Sequence, residues 1–178
     1  MADLTNKVEL EIVTPRGRAL KAVVDEVTAP SVEGEFGVMP GHLPLLAALR
    51  TGIVSYRDGG AEPKRCAVGA GFAEAGANML LILTDEYIER DQIDPVIVRK
   101  ELAETQAAIE KLIAKGELKP AGTDEETRVL IAKENWLAAQ LELYGDPPAA
   151  TMRPFEEFGP PPPVADDAEP AAEDTKSN

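Results

Sequence analysis

The sequence has 178 residues, 44% hydrophobic but only 4% aromatic, which suits one domain of about 100 residues with a smaller appendage. Its formal net charge of −14 argues against a nucleic-acid partner, because phosphate binding requires clustered Lys and Arg. Cys66 is the single cysteine, so no intramolecular disulfide is possible, and no signal-peptide pattern opens the chain. We therefore expect a reducing, non-secreted location.

Short strand patterns run through residues 1–90, which we predict to form an antiparallel β-sandwich. Val8, Leu10 and Ile12 alternate with two glutamates, the period of a half-buried strand. We expect Cys66 to be a small buried hydrophobe in another strand. Further strands are predicted at 23–29, 53–56, 65–68 and 79–84, with a turn at 15–17 and hairpin turns at 58–60 and 76–78.

Residues 91–145 are predicted to form an antiparallel hairpin of two amphipathic helices, over 95–115 and 124–144. Asp94 is a candidate N-cap followed by a proline at the first helical position. Thr123 and Glu126 form a capping-box pattern for the second helix. The predicted apolar stripes are Val98, Leu102, Thr105, Ile109 and Leu112 on the first helix, and Val129, Ala132, Trp136, Ala139 and Leu143 on the second.

The third part of the chain, residues 146–178, has a different composition. It holds eight prolines and eight acidic residues against two basic ones. Such a segment cannot bury enough apolar surface to offset its ordering entropy, so we predict that it is disordered.

Residues 32–46 are the most informative stretch of the sequence. The glycines permit turns with positive φ, and Pro40-Gly41 is a turn signal that projects His42. Glu33, Glu35 and His42 could form a general acid–base set, because two carboxylates near an imidazole tune each other's pKa. The alternative is a pair of solvated turn carboxylates and a turn histidine.

The same stretch resembles a known family. Gly-Glu-Phe-Gly at 34–37 and Pro-Gly-His-Leu-Pro-Leu-Leu at 40–46 resemble the first signature of the epsilon subunits of bacterial F-type ATP synthases, and residues 50–53 extend the match. The glycine-rich run at 69–74, followed by Asn78 and by residues 83–85, resembles the second signature. Thr51 and Ala70 stand where the family usually has proline and glycine. The resemblance covers residues 6 to 144.

The resemblance implies a non-catalytic rotor subunit that couples the gamma subunit to the c ring in proton-driven ATP synthesis. It implies no cofactor, and a peripheral position on the cytoplasmic face of the bacterial inner membrane. The sandwich would bind gamma and the c ring. In the family the hairpin can extend toward the catalytic beta subunits and block ATP hydrolysis, with basic residues of the second helix facing acidic segments there. The second helix here, 124–144, carries five acidic residues against Arg128 and Lys133, a balance of −3, so we expect it to inhibit hydrolysis only weakly. The candidate c-ring contacts are Glu33, Glu35, Pro40, Gly41 and His42.

Some family members bind ATP through an Ile/Leu-Asp-x-x-Arg-Ala motif. Here Asp94 is followed by Pro95-Val96-Ile97-Val98-Arg99, so the arginine is displaced, and we expect weak ATP binding or none.

Three other interpretations remain open. A free-standing acidic sandwich could act as a ligand-binding or regulatory module. A hydrolase would use Glu33, Glu35 and His42 in a concave pocket. Gly69 and Gly71 could mimic a phosphate loop, although strand glycines that allow close backbone approach fit the pattern better.

Overall fold

The computed structural model describes residues 6–60, 62–115 and 125–148. The predicted loop at 116–122, the Thr123 cap and the segment 149–178 lie outside these ranges. The described strands are β1 Val8–Thr14, β2 Gly17–Val24, β3 Glu26–Ser31, β4 Gly34–Val38, β5 Leu45–Leu49, β6 Gly52–Arg57, β7 Lys64–Val68, β8 Gly71–Gly76, β9 Met79–Thr84 and β10 Tyr87–Glu89. A 3-10 turn at Arg90–Gln92 leads to helices α1 Pro95–Ala114 and α2 Glu125–Tyr144.

The strands form a sandwich of two layers, as predicted. The strands belong to one continuous sheet of order β10-β7-β6-β3-β5-β8-β9-β1-β2, with β4 paired to β3. One layer runs from β10 to β3 and includes β4, the other runs from β5 to β2, and the two join where Ser31 of β3 pairs with Leu49 of β5. The pairing is antiparallel except between β1 and β9, which run parallel. The prediction of a wholly antiparallel sandwich is therefore wrong for this one pair. The β1–β9 contact joins two hairpins edge to edge, so no short turn dictates its direction.

The core between the layers follows the predicted alternation along β1. Val8, Leu10 and Ile12 are fully buried, while the glutamates between them are partly exposed. Cys66 is also fully buried in this core, as expected.

The single strand predicted over 23–29 is interrupted, because β2 ends at Val24 and β3 begins at Glu26. The Asp25 carboxylate lies at this break, where it pairs with the Lys7 ammonium at 2.6 Å and accepts a hydrogen bond from the Gly59 amide at 2.6 Å. The Lys7 hydrogen bond lowers the pKa of Asp25. These contacts hold the backbone in place at the interruption between β2 and β3.

Gly71 is a strand glycine at the start of β8, whereas Gly69 lies in the connection between β7 and β8. A Cβ atom on Gly71 would overlap the carbonyl oxygen of Leu83 on β9, and one on Gly69 would lie 2.9 Å from the Glu86 side chain. Only glycine lets these backbones approach so closely.

Helix α1 begins as the sequence predicts. The Asp94 carboxylate caps it by accepting hydrogen bonds from the Val96 and Ile97 amides at 2.9 and 3.3 Å. The predicted stripe is buried at Val98, Leu102, Thr105 and Ile109, and half-buried at Leu112.

Helix α2 differs from its predicted stripe because it packs on two sides. One side meets α1, and Gln106 Nε2 donates there to Glu134 Oε1 at 3.1 Å. The other side meets β6 and β7, where Ala139 and Leu143 are buried and Trp136 is half-buried. Val129 is exposed, whereas Leu137, absent from the predicted stripe, is buried. A single stripe cannot describe a helix with two packed faces.

Candidate partner interface

The five candidate contact residues lie at the two ends of β4. Glu33 is in the β3–β4 turn, where its amide donates to Ser31 Oγ at 3.2 Å, and Glu35 is exposed on β4. Pro40, Gly41 and His42 follow the other end of the strand. The rise from Glu35 to Val38 alone is about 10 Å at about 3.3 Å per residue. The structure therefore separates the acidic residues from the histidine.

This separation bears on the acid–base hypothesis. His42 Nδ1 lies 2.7 Å from the carbonyl oxygen of Leu43, a local contact within its own loop. A general base must lie within hydrogen-bonding reach of the proton that it moves, and the described hydrogen bonds of His42 include none to Glu33 or Glu35.

The loop that carries His42 is held against the β8–β9 hairpin. The Gly41 amide donates to the Ala77 carbonyl at 2.5 Å and lies 3.3 Å from Asn78 Oδ1. The turn requires a φ of 80° at Gly41, a backbone conformation that residues with a side chain rarely adopt. The loop exposes Met39 and Leu43 beside Leu46 at the start of β5.

An apolar surface continues from this loop across the outer side of the β5-β8-β9-β1-β2 layer. Ala48, Phe72, Leu83 and Val13 are directly paired neighbours on four successive strands. Phe72 is 53% exposed and Leu83 48% exposed. We define the outer apolar face as Val13, Leu46, Ala48, Phe72, Leu81 and Leu83. The exposed Glu74 lies on the same side of the sheet, where it pairs with Leu46 and Leu81. Exposed apolar surface such as the row from Ala48 to Val13 marks interaction sites.

The other layer of the sandwich is covered. Helix α2 packs on β6 and β7, and Ala67, Ile53 and Ile88 join Leu143 in a second apolar cluster there. The hairpin thus shields one side of the sandwich, whereas no element within the described ranges covers the outer apolar face. No local pattern in the sequence indicates this face, because it forms only where β5 and β8 pair.

A cleft lies where the hairpin ends against the sandwich. Tyr87 Oη donates to Glu89 Oε1 at 2.6 Å near this cleft, and burial followed by this hydrogen bond raises the pKa of Tyr87. Burial also raises the pKa of the neighbouring Cys66 thiol to about 12, so the thiol remains protonated and unreactive.

The start of α1 carries the displaced arginine of the sequence analysis. Arg99 Nη2 lies 2.6 Å from Asp146 Oδ2, and Nε donates to the same oxygen at 2.7 Å. In this structure Arg99 thus ties the end of α2 to the start of α1. Neither helix is long and apolar enough to cross a membrane.

Comparison with known proteins agrees with this architecture. Residues 7–90 match the family model for the β-sandwich domain of the ATP synthase delta/epsilon chain. The sandwich is thus of the ATP synthase delta/epsilon class.

Curated relatives extend the match. An ATP synthase epsilon chain from Anaeromyxobacter sp. strain K is 39% identical over 136 residues, which cover 76% of this chain and 96% of the relative. ATP synthase epsilon chain 2 from Syntrophotalea carbinolica is 37% identical over 109 residues, covering 61% of this chain and 78% of the relative. The chain belongs to the ATP synthase epsilon chain family.

A solved structure shares the fold. A chain in the cryo-EM structure of the Euglena gracilis mitochondrial ATP synthase OSCP/F1/c-ring assembly aligns with a TM-score of 0.54 and 23% identity, covering 79% of this chain and 78% of that chain.

Proposed function

We propose that this chain is a non-catalytic rotor subunit in the central stalk of an ATP synthase, where its sandwich joins the gamma subunit to the c ring. Family membership and the uncovered outer apolar face support this role. The chain would lie on the cytoplasmic face of the bacterial inner membrane, held there through the c ring. Its function would be to transmit torque, with no chemistry of its own.

The outer apolar face is the observation that carries the proposal. Phe72 and Leu83 are paired across β8 and β9 and remain half-exposed, although the residues that alternate with them, Ala73, Ala75, Leu80 and Ile82, are buried. Full burial of such side chains contributes about 1.5 to 3 kcal/mol each, so a partner that covers both gains substantially. We assign this face to gamma.

Binding to gamma is tested with a charge substitution and a matched control. A tagged chain with Phe72→Glu and Leu83→Glu should no longer retain gamma and the c ring from solubilised membranes. The control is Ile113→Glu with Val129→Glu on the hairpin, where the two side chains are 46% and 54% exposed. Equal retention of gamma by both variants would contradict the assignment. Wild-type chain that retains no synthase subunit would favour a free-standing module instead.

The polar c-ring loops are assigned to the two ends of β4. A c-ring surface that touches both ends must extend about 10 Å or more, from Glu35 to the loop of His42. Charge-assisted contacts at these ends would fix orientation more than they supply affinity. Pro40 and Gly41 would shape the loop, because Gly41 is anchored to Ala77.

The c-ring contact is tested by ATP-driven proton pumping in the assembled complex. We expect Glu35→Ala with His42→Ala to weaken pumping while the chain stays folded and assembled, because both residues lie in surface segments. Glu110→Ala, an exposed acidic position on α1, should leave pumping unchanged. Unaltered pumping in the double variant would remove these residues from the interface.

The hairpin would regulate ATP hydrolysis only weakly by reaching the catalytic beta subunits. In its described range, α2 carries Glu125, Glu126, Glu134 and Glu142 against Arg128 and Lys133, a balance of two minus four, or −2. This charge disfavours docking on acidic segments. Opening the hairpin would also expose Leu137 and Leu141, which are buried in the closed form.

Deletion of the hairpin tests this regulation. A chain that ends at Asp94 should change the ATP hydrolysis rate of the complex by less than twofold. Activation of several-fold or more would identify the hairpin as a strong inhibitor and contradict the charge argument.

A further inference from the structure

A cleft of about 570 Å³ lies at the base of the hairpin, between the sandwich and the end of α2. Tyr56, Leu143 and Tyr144 give it apolar walls, and Lys64, Arg65 and Arg90 bring positive charge. The cleft therefore combines aromatic surface with a basic rim.

The basic side chains of the cleft are only lightly engaged. Arg90 Nε donates to the Tyr144 carbonyl at 3.2 Å, and its guanidinium lies 5.6 Å from the centre of the Tyr144 ring. Arg65 lies 4.0 Å from Glu142, at the limit of an ion pair. Two acidic residues, Glu89 and Asp91, also line the cleft, and Glu89 accepts from Tyr87. The lining carries three bases against two acids, or +1, on a chain whose net charge is −14.

The chain leaves α2 beside this cleft. Gly145 is part of the lining, and Asp146 is held by Arg99. The following sequence, 149–178, contains seven acidic and two basic residues, and it includes Phe155-Glu156-Glu157-Phe158. Phe155 follows Gly145 by ten residues, which reach at most about 35 Å when extended.

We propose that the cleft binds residues 155–158 of this chain, with the phenylalanines against the tyrosines and the glutamates toward Lys64 and Arg65. This inference goes beyond the rotor role. It concerns a part of the chain beyond residues 7–90, which match the family model.

Paramagnetic relaxation in the full-length chain tests this contact. A nitroxide label on Gly159→Cys reports which backbone amides lie near the segment, since buried Cys66, whose thiol pKa is about 12, stays unlabelled. We expect the amide signals of Lys64, Arg65 and Tyr144 to broaden several-fold more than those of the outer apolar face. The label is close in sequence to Gly145, which lines the cleft. Tethering alone therefore broadens some cleft signals, so the comparison requires a matched variant.

Two matched variants separate binding from mere tethering. Phe155→Ala with Phe158→Ala keeps the tether and should abolish the excess broadening. Lys64→Glu with Arg65→Glu should also abolish it, and adding Glu156→Lys with Glu157→Lys should restore it. Broadening that is equal in the wild type and the Phe variant, or centred elsewhere, overturns the proposal. The cleft signals could instead shift when ATP is added and be the same in every variant of the segment. This result would show that the cleft binds a soluble anion, and it would also overturn the proposal.

Discussion

Two alanine substitutions on α2 test the packing of the hairpin, and the sequence stripe and the structure give opposite expectations for them. The stripe places Val129 in the apolar seam and leaves Leu137 outside it. In the structure Leu137 is 4% exposed in the second apolar cluster, whereas Val129 is 54% exposed. We therefore expect Leu137→Ala to lower the free energy of unfolding much more than Val129→Ala.

The magnitudes follow from burial. Truncating a buried leucine costs about 2 to 5 kcal/mol, and we expect about 2 to 3 here if the neighbouring side chains of the cluster partly close the cavity. Truncating the half-exposed valine should cost about 0.5 kcal/mol or less, since alanine also has the higher helix propensity.

The assay is urea denaturation followed by the fluorescence of Trp136, the only tryptophan of the chain, which is half-buried in the cluster beneath α2. Circular dichroism of the sandwich, recorded in parallel, shows whether the hairpin unfolds separately. Equal losses in the two variants, or a larger loss in Val129→Ala, would refute the packing described for α2.

Three further predictions concern other parts of the chain. Gly71→Ala should destabilise the sandwich by about 1 to 3 kcal/mol in urea because its Cβ meets the Leu83 carbonyl, and Gly76→Ala, which meets nothing, should not. Truncation after Gly145 should cost less than about 1 kcal/mol in thermal unfolding, because among the described contacts it removes only the exposed Arg99–Asp146 pair and the hydrogen bond from the Asp146 amide to the Leu141 carbonyl; a large loss would refute it. Calorimetry should show no micromolar ATP binding, because Arg99 is displaced in the motif; such binding would prove this wrong.

The sequence predicts the fold well where a single physical period governs a segment. Along β1, one face is buried and the other is solvated, so alternation identifies the strand and its core residues. At α1, a capping aspartate and the proline that follows it identify the first residue of the helix. Both signals are local and need no knowledge of tertiary contacts.

The sequence fails where a segment has two packed sides or where function depends on pairing. Helix α2 contacts both α1 and the sheet, so its burial follows no single stripe and Leu137 is missed. The outer apolar face arises only when β5, β8, β9 and β1 align Ala48, Phe72, Leu83 and Val13 in register. Residues far apart in sequence create this surface, which no local pattern reveals.

The central claim, that the outer apolar face docks on gamma, is tested most directly by site-specific photo-crosslinking in the assembled complex. A benzophenone side chain at position 72 should crosslink to gamma in high yield, while one at position 129 on the hairpin should not. Crosslinks from position 129 to gamma, with none from position 72, would contradict the account.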